Sequence, residues 1–252
     1  MKLIINADDL GYSINTNQAI FSLMRRRRIT SATLMANGPA FQDAVLHIPD
    51  FPSFSFGVHL TLTEFQALTT PQIFYDTRMI NERGVFTREL RKLRPNLALL
   101  NAILKEWTQQ VVRILDNGVS VSHFDSHHHT HTIPWLFFAL KKLQKRFNIR
   151  KVRASMNSYY QKEYSPPRRL LMSKKIWNFA LRNIYRTRTP DYFTFFEWFL
   201  ANSCDGAVDS QGVAELMCHP GQPTNSEVTE LLCSDWVAQL PFPIELISYH
   251  EL

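Results

Sequence analysis

Acidic and histidine side chains gather in four short stretches of the chain. The stretches are Asn6-Ala7-Asp8-Asp9-Leu10-Gly11, Gly57-Val58-His59-Leu60-Thr61, the run from Ser122 to His131, and Met217-Cys218-His219-Pro220-Gly221. Five of the nine histidines lie between residues 123 and 131. Because histidine and carboxylate together are the usual ligands of catalytic zinc and related divalent ions, these stretches predict a metal-dependent catalytic site.

Each stretch also has a purely structural interpretation. Asp8 and Asp9 would suit the start of a helix, but two adjacent carboxylates after a buried strand are costly unless a cation or hydrogen bonds compensate. A lone histidine such as His59, among apolar neighbours, is more often a core residue. His219 would equally suit a buried histidine bound to a backbone carbonyl. The four stretches together favour catalysis over these readings.

The histidine cluster is the strongest of the four signals. In extended backbone alternate side chains share a face, which would place on one side His123, Asp125, His127, His129 and His131. So many imidazoles on one face do not suit an apolar core, and an expression tag would be terminal and uninterrupted. The cluster therefore predicts a metal or catalytic role, although the pattern alone does not identify the ligand among these histidines.

Strand and helix patterns alternate along the chain. Strands are predicted at residues 2–6, 30–36, 55–63, 121–127, 150–154, 213–219 and 243–249. Helices are predicted at residues 15–27, 41–47, 101–115, 134–147, 170–185 and 226–239, whereas the aromatic run 192–199 is ambiguous. This alternation predicts an α/β fold with a mostly parallel sheet, in its barrel form, as a single domain over residues 1–252. The four stretches then lie at the carboxyl ends of strands, where chemistry gathers in such folds.

Several other classes of protein lack support. The sequence has no phosphate-binding Gly-x-x-x-x-Gly-Lys loop, no Gly-x-Gly-x-x-Gly after a strand, no Gly-x-Ser-x-Gly elbow and no His-Glu-x-x-His helix. The cysteines Cys204, Cys218 and Cys233 are scattered, which fits a reducing compartment. No apolar run is long enough for a signal peptide or a membrane span, so we expect a cytoplasmic protein.

The formal net charge is +6, and its densest run is Arg25 to Arg28. This run follows an apolar helical pattern, and cations suit the end of a helix. Since no recognition motif accompanies the run, we expect no nucleic-acid partner.

Taken in order, the four stretches resemble the YdjC-like carbohydrate deacetylases, also called the ChbG/HpnK family. The resemblance spans residues 6–221. It implies a distorted (β/α) TIM-like barrel, one divalent metal ion (Mg²⁺ or Zn²⁺), and hydrolysis of acetyl groups on N-acetylated sugars or oligosaccharides. It also implies a homodimer, because the family often forms one.

The resemblance further implies roles for single residues. Asp8 matches the family's catalytic base, and His219 matches its general acid. The metal ligands correspond to Asp9, His59 and His127. Chemistry agrees with these roles, because an amide nitrogen must be protonated before it leaves. Asp125 is suited to orient a histidine ligand by bonding to the ring nitrogen that faces away from the metal.

Two other functions remain open at this point. A metal-dependent phosphoesterase would use a similar cluster, but such enzymes usually need two ions and more bridging carboxylates. A non-catalytic sugar- or lipid-binding barrel would have no need of the intact catalytic set.

The segment 64–100 matches no sharp motif, and neither does 155–200. We expect both segments to determine the substrate specificity, because the resemblance does not identify the substrate. Residues 64–100, including Phe74, Tyr75, Arg78 and Arg83, are predicted to form part of the mouth above the metal.

Overall fold

The computed structural model describes residues 1–206, 208, 211–222 and 226–252. The strands are β1 (Lys2–Leu10), β2 (Ser31–Leu34), β3 (Ser55–Leu60), β4 (Val121–Ser126), β5 (Tyr192–Phe195), β6 (Val213–Cys218) and β7 (Glu245–Leu246). The α-helices are α1 (Ile14–Arg25), α2 (Phe41–His47), α3 (Gln72–Asp76), α4 (Leu97–Asp116), α5 (Phe137–Phe147), α6 (Arg168–Asn183), α7 (Phe196–Cys204) and α8 (Ser226–Cys233). Short 3-10 helices lie at Ile48–Asp50, Arg88–Lys92, His127–Thr132, Pro134–Leu136 and Trp236–Gln239.

The sheet has the order β4-β3-β2-β1-β6-β5, and all of these neighbours are parallel. Strand β7 pairs in parallel with the first residues of β1. Helices connect most of the consecutive strands, as parallel pairing requires. The chain thus has the predicted α/β fold, with the carboxyl ends of the parallel strands at one end of the sheet.

Residues 150–158 form backbone hydrogen bonds to both β4 and β5, and so close the curved sheet into a distorted barrel. The Arg153 backbone N–H donates to the Phe124 carbonyl at 2.9 Å, and Val152 N–H donates to the Arg188 carbonyl at 3.1 Å. Asn157 N–H then donates to the Phe193 carbonyl at 3.3 Å. The prediction of a regular strand at 150–154 is wrong. The segment spans the gap between β4 and β5, where the barrel is distorted, and forms only isolated bridges.

Burial of the strands in the core explains why they appear in the sequence as runs of apolar residues. Eight of the nine residues of β1 are buried, as in parallel strands covered on both faces. Helix α4 buries a stripe of residues at helical spacing, among them Leu99, Ile103 and Trp107. No helix in the described ranges is both long and apolar enough to cross a membrane.

Two predictions about local backbone need correction. Strand β1 does not end at Asn6 but continues to Leu10, so Asp8 and Asp9 lie within it. The extended backbone of β4 ends at Ser126. A 3-10 helix follows, in which His128 and His129 have φ of 53°. The predicted common face of five side chains is therefore wrong beyond Ser126, because alternation holds only while the chain stays extended.

Candidate metal and catalytic site

A bulge in β1 positions the two adjacent aspartates. The pairing of β1 with β2 shifts register between Ala7 and Leu10. Asp9 within this bulge has φ of 66°, a left-handed conformation that aspartate adopts more readily than most residues. Bulges re-aim side chains that would otherwise alternate across the sheet. Here both carboxylates are buried and make contacts to charged side chains of the neighbouring strands and loops.

Asp9, His59 and His127 meet at the carboxyl end of the sheet. Asp9 Oδ1 lies 3.1 Å from His59 Nε2 and 3.0 Å from His127 Nδ1. One candidate ligand atom from each of the three lies within 4.8 Å of the other two. The structure therefore brings together the three residues that the resemblance implied as metal ligands.

A second carboxylate lies behind each histidine. Asp125 Oδ1 is 2.8 Å from His59 Nδ1, and Glu64 Oε2 is 2.9 Å from His127 Nε2. The Gln222 amide donates to Asp9 Oδ2 at 2.7 Å. Carboxylates on the far nitrogen of histidine ligands fix the tautomer and ring orientation. Each imidazole thus keeps one nitrogen toward Asp9 and its other nitrogen on a carboxylate.

The electrostatics of this cluster favour a cation. Burial opposes the charged form of His59, but Asp125 outweighs it and raises the pKa of His59 to about 10. Burial likewise opposes ionisation of Asp9, yet hydrogen bonds from His127 and His59 hold the Asp9 pKa well below its ordinary value. A field that stabilises protons on these imidazoles equally stabilises a metal cation. The donor set of two imidazoles and one carboxylate therefore fits one divalent ion such as Zn²⁺, which binds imidazole and carboxylate ligands.

Asp8 is held by the buried Arg153. The guanidinium donates to Asp8 Oδ1 and to Asp8 Oδ2, each at 2.6 Å. Burial raises the pKa of Asp8, but Arg153 outweighs burial and lowers it far below the ordinary value. The same guanidinium lies 2.8 Å from Asp125 Oδ2 and 2.8 Å from Glu215 Oε1. Arg153 therefore connects the candidate base to the carboxylate that backs His59.

His219 lies directly after β6, on the open side of Asp8. Its Nε2 is 3.9 Å from Asp8 Oδ2, and its side chain is 26% exposed. This distance is longer than a hydrogen bond, so the two groups do not bond directly to each other. The arrangement places a candidate base and a candidate acid beside each other, with one of them accessible to solvent.

The other histidines of the cluster have different surroundings. His123 stacks on Tyr249 with 3.5 Å between ring centroids, and a Cβ on Gly57 would lie 2.5 Å from the His123 ring. His131 Nδ1 bonds the Ser126 hydroxyl at 2.6 Å. His128 Nδ1 bonds Thr63 at 2.8 Å, and His129 packs edge-on against Phe193. Of the five histidines in the cluster, His127 is the one that contacts Asp9 among the described contacts.

The excursion 64–100 contacts the site, but one of the residues predicted to line its mouth is wrong. Phe74 is fully buried, so it packs in the core and cannot offer a ring to a sugar. Tyr75, Arg78 and Arg83 line a surface cavity together with neighbours from the same excursion, and their place in the mouth stays a prediction. The contact with the site is made by Glu64 on His127, and by Arg91, which donates to the His128 carbonyl at 2.9 Å.

Sequence reasoning missed Arg153 and Glu64. A signal for Arg153 was present, because an arginine within a predicted buried strand requires anionic partners. Glu64 follows the β3 stretch by a few residues, as His127 follows β4, but a single glutamate in a polar loop carries no distinct pattern. Both residues act through partners that are distant in sequence.

The fold and the site define an α/β barrel protein with a cluster of histidine and carboxylate side chains that could hold a metal ion. The chain belongs to the YdjC-like protein family, whose model matches residues 2–242. It is 29% identical over 225 residues to a carbohydrate deacetylase of Halalkalibacterium halodurans, covering 87% of this chain and 85% of that protein. A carbohydrate deacetylase of Geobacillus stearothermophilus is 36% identical over 150 residues, or 58% of this chain and 57% of that protein.

A solved structure resembles the whole fold. A protein of Enterococcus faecalis V583, described as a candidate cellobiose-phosphate cleavage protein, superposes with a TM-score of 0.76 and 25% identity. The match covers 99% of this chain and 98% of that one.

Proposed function

We propose that this protein is a metal-dependent carbohydrate deacetylase acting on N-acetylated sugars or oligosaccharides, and that residues 1–252 form one such domain. The observation that carries the proposal is the meeting of Asp9 with His59 and His127, next to the Asp8–Arg153 pair. Relatives of the chain that are named carbohydrate deacetylases support the reaction class.

In this proposal Asp9, His59 and His127 hold one divalent ion, Zn²⁺ or Mg²⁺. When bound, such an ion supplies Lewis acidity toward the amide carbonyl and lowers the pKa of water. Asp125 and Glu64 keep the two imidazoles oriented through their far nitrogens.

Asp8 accepts the proton of the attacking water. Arg153 keeps this carboxylate ionised, and therefore able to accept a proton, at the expense of some basicity. His219 donates a proton to the leaving amine, because an amide anion is too poor a leaving group. Its exposed position, with Nε2 3.9 Å from Asp8 Oδ2, leaves the imidazole free to meet a substrate that enters from solvent.

Arg153 also argues against a two-metal phosphoesterase. Asp8, His59 and Asp125 form a second group whose candidate ligand atoms lie within 4.8 Å of one another. The guanidinium already binds both oxygens of Asp8 and one oxygen of Asp125. A fixed cation at this position repels a metal ion from the Asp8–His59–Asp125 group, which argues against a second ion there.

Acetate release from a panel of N-acetylated mono-, di- and oligosaccharides tests the function. We expect turnover of at least one sugar, its loss on chelation, and recovery with one equivalent of Zn²⁺ or Mg²⁺ per chain. The variant Asp9→Asn, assayed beside the wild type, is expected to stay inactive after metal is restored. Turnover that is unaffected by a chelator and by Asp9→Asn would contradict the proposal. Binding of two ions per chain would favour the phosphoesterase.

The cytoplasmic location and the homodimer stay predictions from the sequence. Light scattering of the purified protein tests the dimer.

A further inference from the structure

The chain separates its charges along the sequence. Of its 28 Lys and Arg residues, fifteen lie between residues 126 and 190, and this range holds one of the 22 acidic residues, Glu163. No Lys or Arg follows Arg188. A segment with so strong a bias toward one sign of charge indicates an anionic partner.

Helix α6 carries part of this charge, and its inner side contacts α5. The buried Lys141 of α5 donates to the Leu181 carbonyl of α6 at 2.9 Å. The rings of Phe137 and Trp177 meet edge-on, with 6.2 Å between centroids. The side of α6 that carries Trp177 therefore faces the protein, and the opposite side of this helix faces solvent.

The outer side of α6 exposes three large apolar side chains, Met172 (58%), Ile176 (62%) and Phe179 (69%). These positions are four and three residues apart, which places them on one helical face. The exposed cations Arg168, Arg169 and Lys175 lie on the same face at helical spacing. These six residues are here called the basic–apolar face.

We propose that the basic–apolar face docks on the surface of an anionic lipid bilayer. Lysine and arginine bind the acidic headgroups, while Met172, Ile176 and Phe179 enter the boundary between headgroups and acyl chains. Basic helices with exposed aromatic and aliphatic side chains lie in this way in the plane of the interface.

The charge of the face favours a bilayer over two other partners, namely a second copy of the chain and nucleic acid. In a two-fold dimer a patch meets its own copy, so the same cations would face each other and repel. Nucleic acid would satisfy the cations, but it offers no apolar phase to protruding aliphatic side chains such as Met172 and Ile176. A bilayer satisfies both kinds of side chain.

Sedimentation of the full chain with vesicles tests the proposal. We expect binding to vesicles of equimolar phosphatidylglycerol and phosphatidylcholine, no binding to pure phosphatidylcholine, and weaker binding as salt is raised. The triple variant Arg168→Gln/Arg169→Gln/Lys175→Gln should lose about fivefold in affinity per cation. The double variant Ile176→Ser/Phe179→Ser should lose about tenfold or more while its charge is unchanged.

Matched controls come from helix α4. Leu97 is 70% exposed and Lys105 is also exposed, so Leu97→Ser/Lys105→Gln changes one apolar side chain and one cation outside the face. This variant should bind vesicles like the wild type. All variants should keep the wild-type circular dichroism spectrum, and binding is measured without any acetate-release assay, which makes the outcome independent of the deacetylase proposal.

Three results would overturn the docking proposal. The first is that the wild type does not bind the anionic vesicles. The second is that it binds double-stranded or single-stranded nucleic acid in place of vesicles. The third is that the wild type is a dimer in solution and that Ile176→Ser/Phe179→Ser converts it to a monomer, which would make the face an interface between copies.

Discussion

Arg153 holds Asp8 through both carboxylate oxygens, at 2.6 Å each. Since the same guanidinium also contacts Asp125 and Glu215, one buried cation offsets three buried carboxylates. The proposed base, the orientation of a metal ligand and the stability of the barrel interior therefore depend on a single side chain.

Arg153→Met should be strongly destabilising. It leaves Asp8, Asp125 and Glu215 buried without their cation, which typically costs about 3–5 kcal/mol in the free energy of unfolding. Urea denaturation measures the loss. The control is Arg182→Met, because Arg182 is partly exposed and lies 3.9 Å from Asp191, where an ion pair contributes at most about 1 kcal/mol. Equal and small losses in both variants would show that Arg153 is not needed for stability.

Asp8→Asn and Asp9→Asn should separate base from ligand. Asp8 contacts Arg153, whereas Asp9 contacts the two histidines. We expect Asp8→Asn to lose turnover but to retain the metal, and Asp9→Asn to lose both. Metal content by elemental analysis, measured with acetate release on the same samples, distinguishes them. Loss of metal from Asp8→Asn alone would mean that the two aspartates have the opposite roles.

Glu64→Gln and Asp125→Asn should weaken metal binding without removing a ligand. Each takes a carboxylate from the far nitrogen of a histidine, and such changes typically cost about 10–100-fold in affinity. Competition with a chromophoric chelator measures the affinity. Glu89→Gln is the control for Glu64, because Glu89 lies in the same excursion and pairs with the exposed Lys92. Wild-type metal affinity in both variants would rule out this supporting role.

His219→Ala should lower the rate while the metal stays bound. Loss of a general acid typically costs about 10²–10⁴-fold, and it should matter less when the leaving group departs without a proton. The variant should therefore retain a larger share of wild-type activity on an aryl acetate than on an N-acetyl sugar. The comparison requires kcat/KM for both substrates. Equal fractional losses on the two would indicate a role in shaping the pocket.

Acid should destabilise the metal-free protein through its buried histidines. Burial, with a contribution from Arg153, lowers the pKa of His131 to about 3, and burial lowers the pKa values of His123 and His129 well below the ordinary value. The unfolded chain then binds more protons than the folded one below its histidine pKa of about 6.5, so stability falls as pH drops from about 6.5 toward 3. His131→Gln should reduce this slope by up to about 1.4 kcal/mol per pH unit.

Urea denaturation in a chelator, repeated across this pH range, measures the slope. His250→Gln is the control, because His250 is exposed. An unchanged slope in His131→Gln would show that His131 does not take up the proton on unfolding.

The sequence was sufficient to predict which strand ends meet. Asp9, His59 and His127 each lie at or just after the end of a parallel strand, and parallel strands bring their carboxyl ends to one side of a sheet. The α/β alternation followed from apolar runs and helical spacing, although several boundaries moved by a few residues. The α/β alternation was therefore predictable from local patterns, whereas the ligand set was implied by the resemblance to a family.

Local patterns could not predict contacts that depend on the assembled barrel. The partners of Arg153 come from β1, β4 and β6, so its role exists only once these strands are side by side. The bulge at Asp9 has no marker in composition, since aspartate also occurs in regular turns. Phe74 shows the same limit, because an aromatic residue in a polar excursion has no pattern that distinguishes a buried ring from an exposed one.

The position of β1 in the sheet constrains the order of folding. Lys2 pairs with Val213 and Ala7 pairs with Cys218, so one long edge of β1 stays unpaired until β6, far along the chain, has been synthesised. Contacts between such distant segments close slowly, and an unpaired apolar strand is prone to aggregate in the meantime. A nascent chain that stops before β6 would therefore expose β1, and the aspartates would acquire their final surroundings only after β6 has been added.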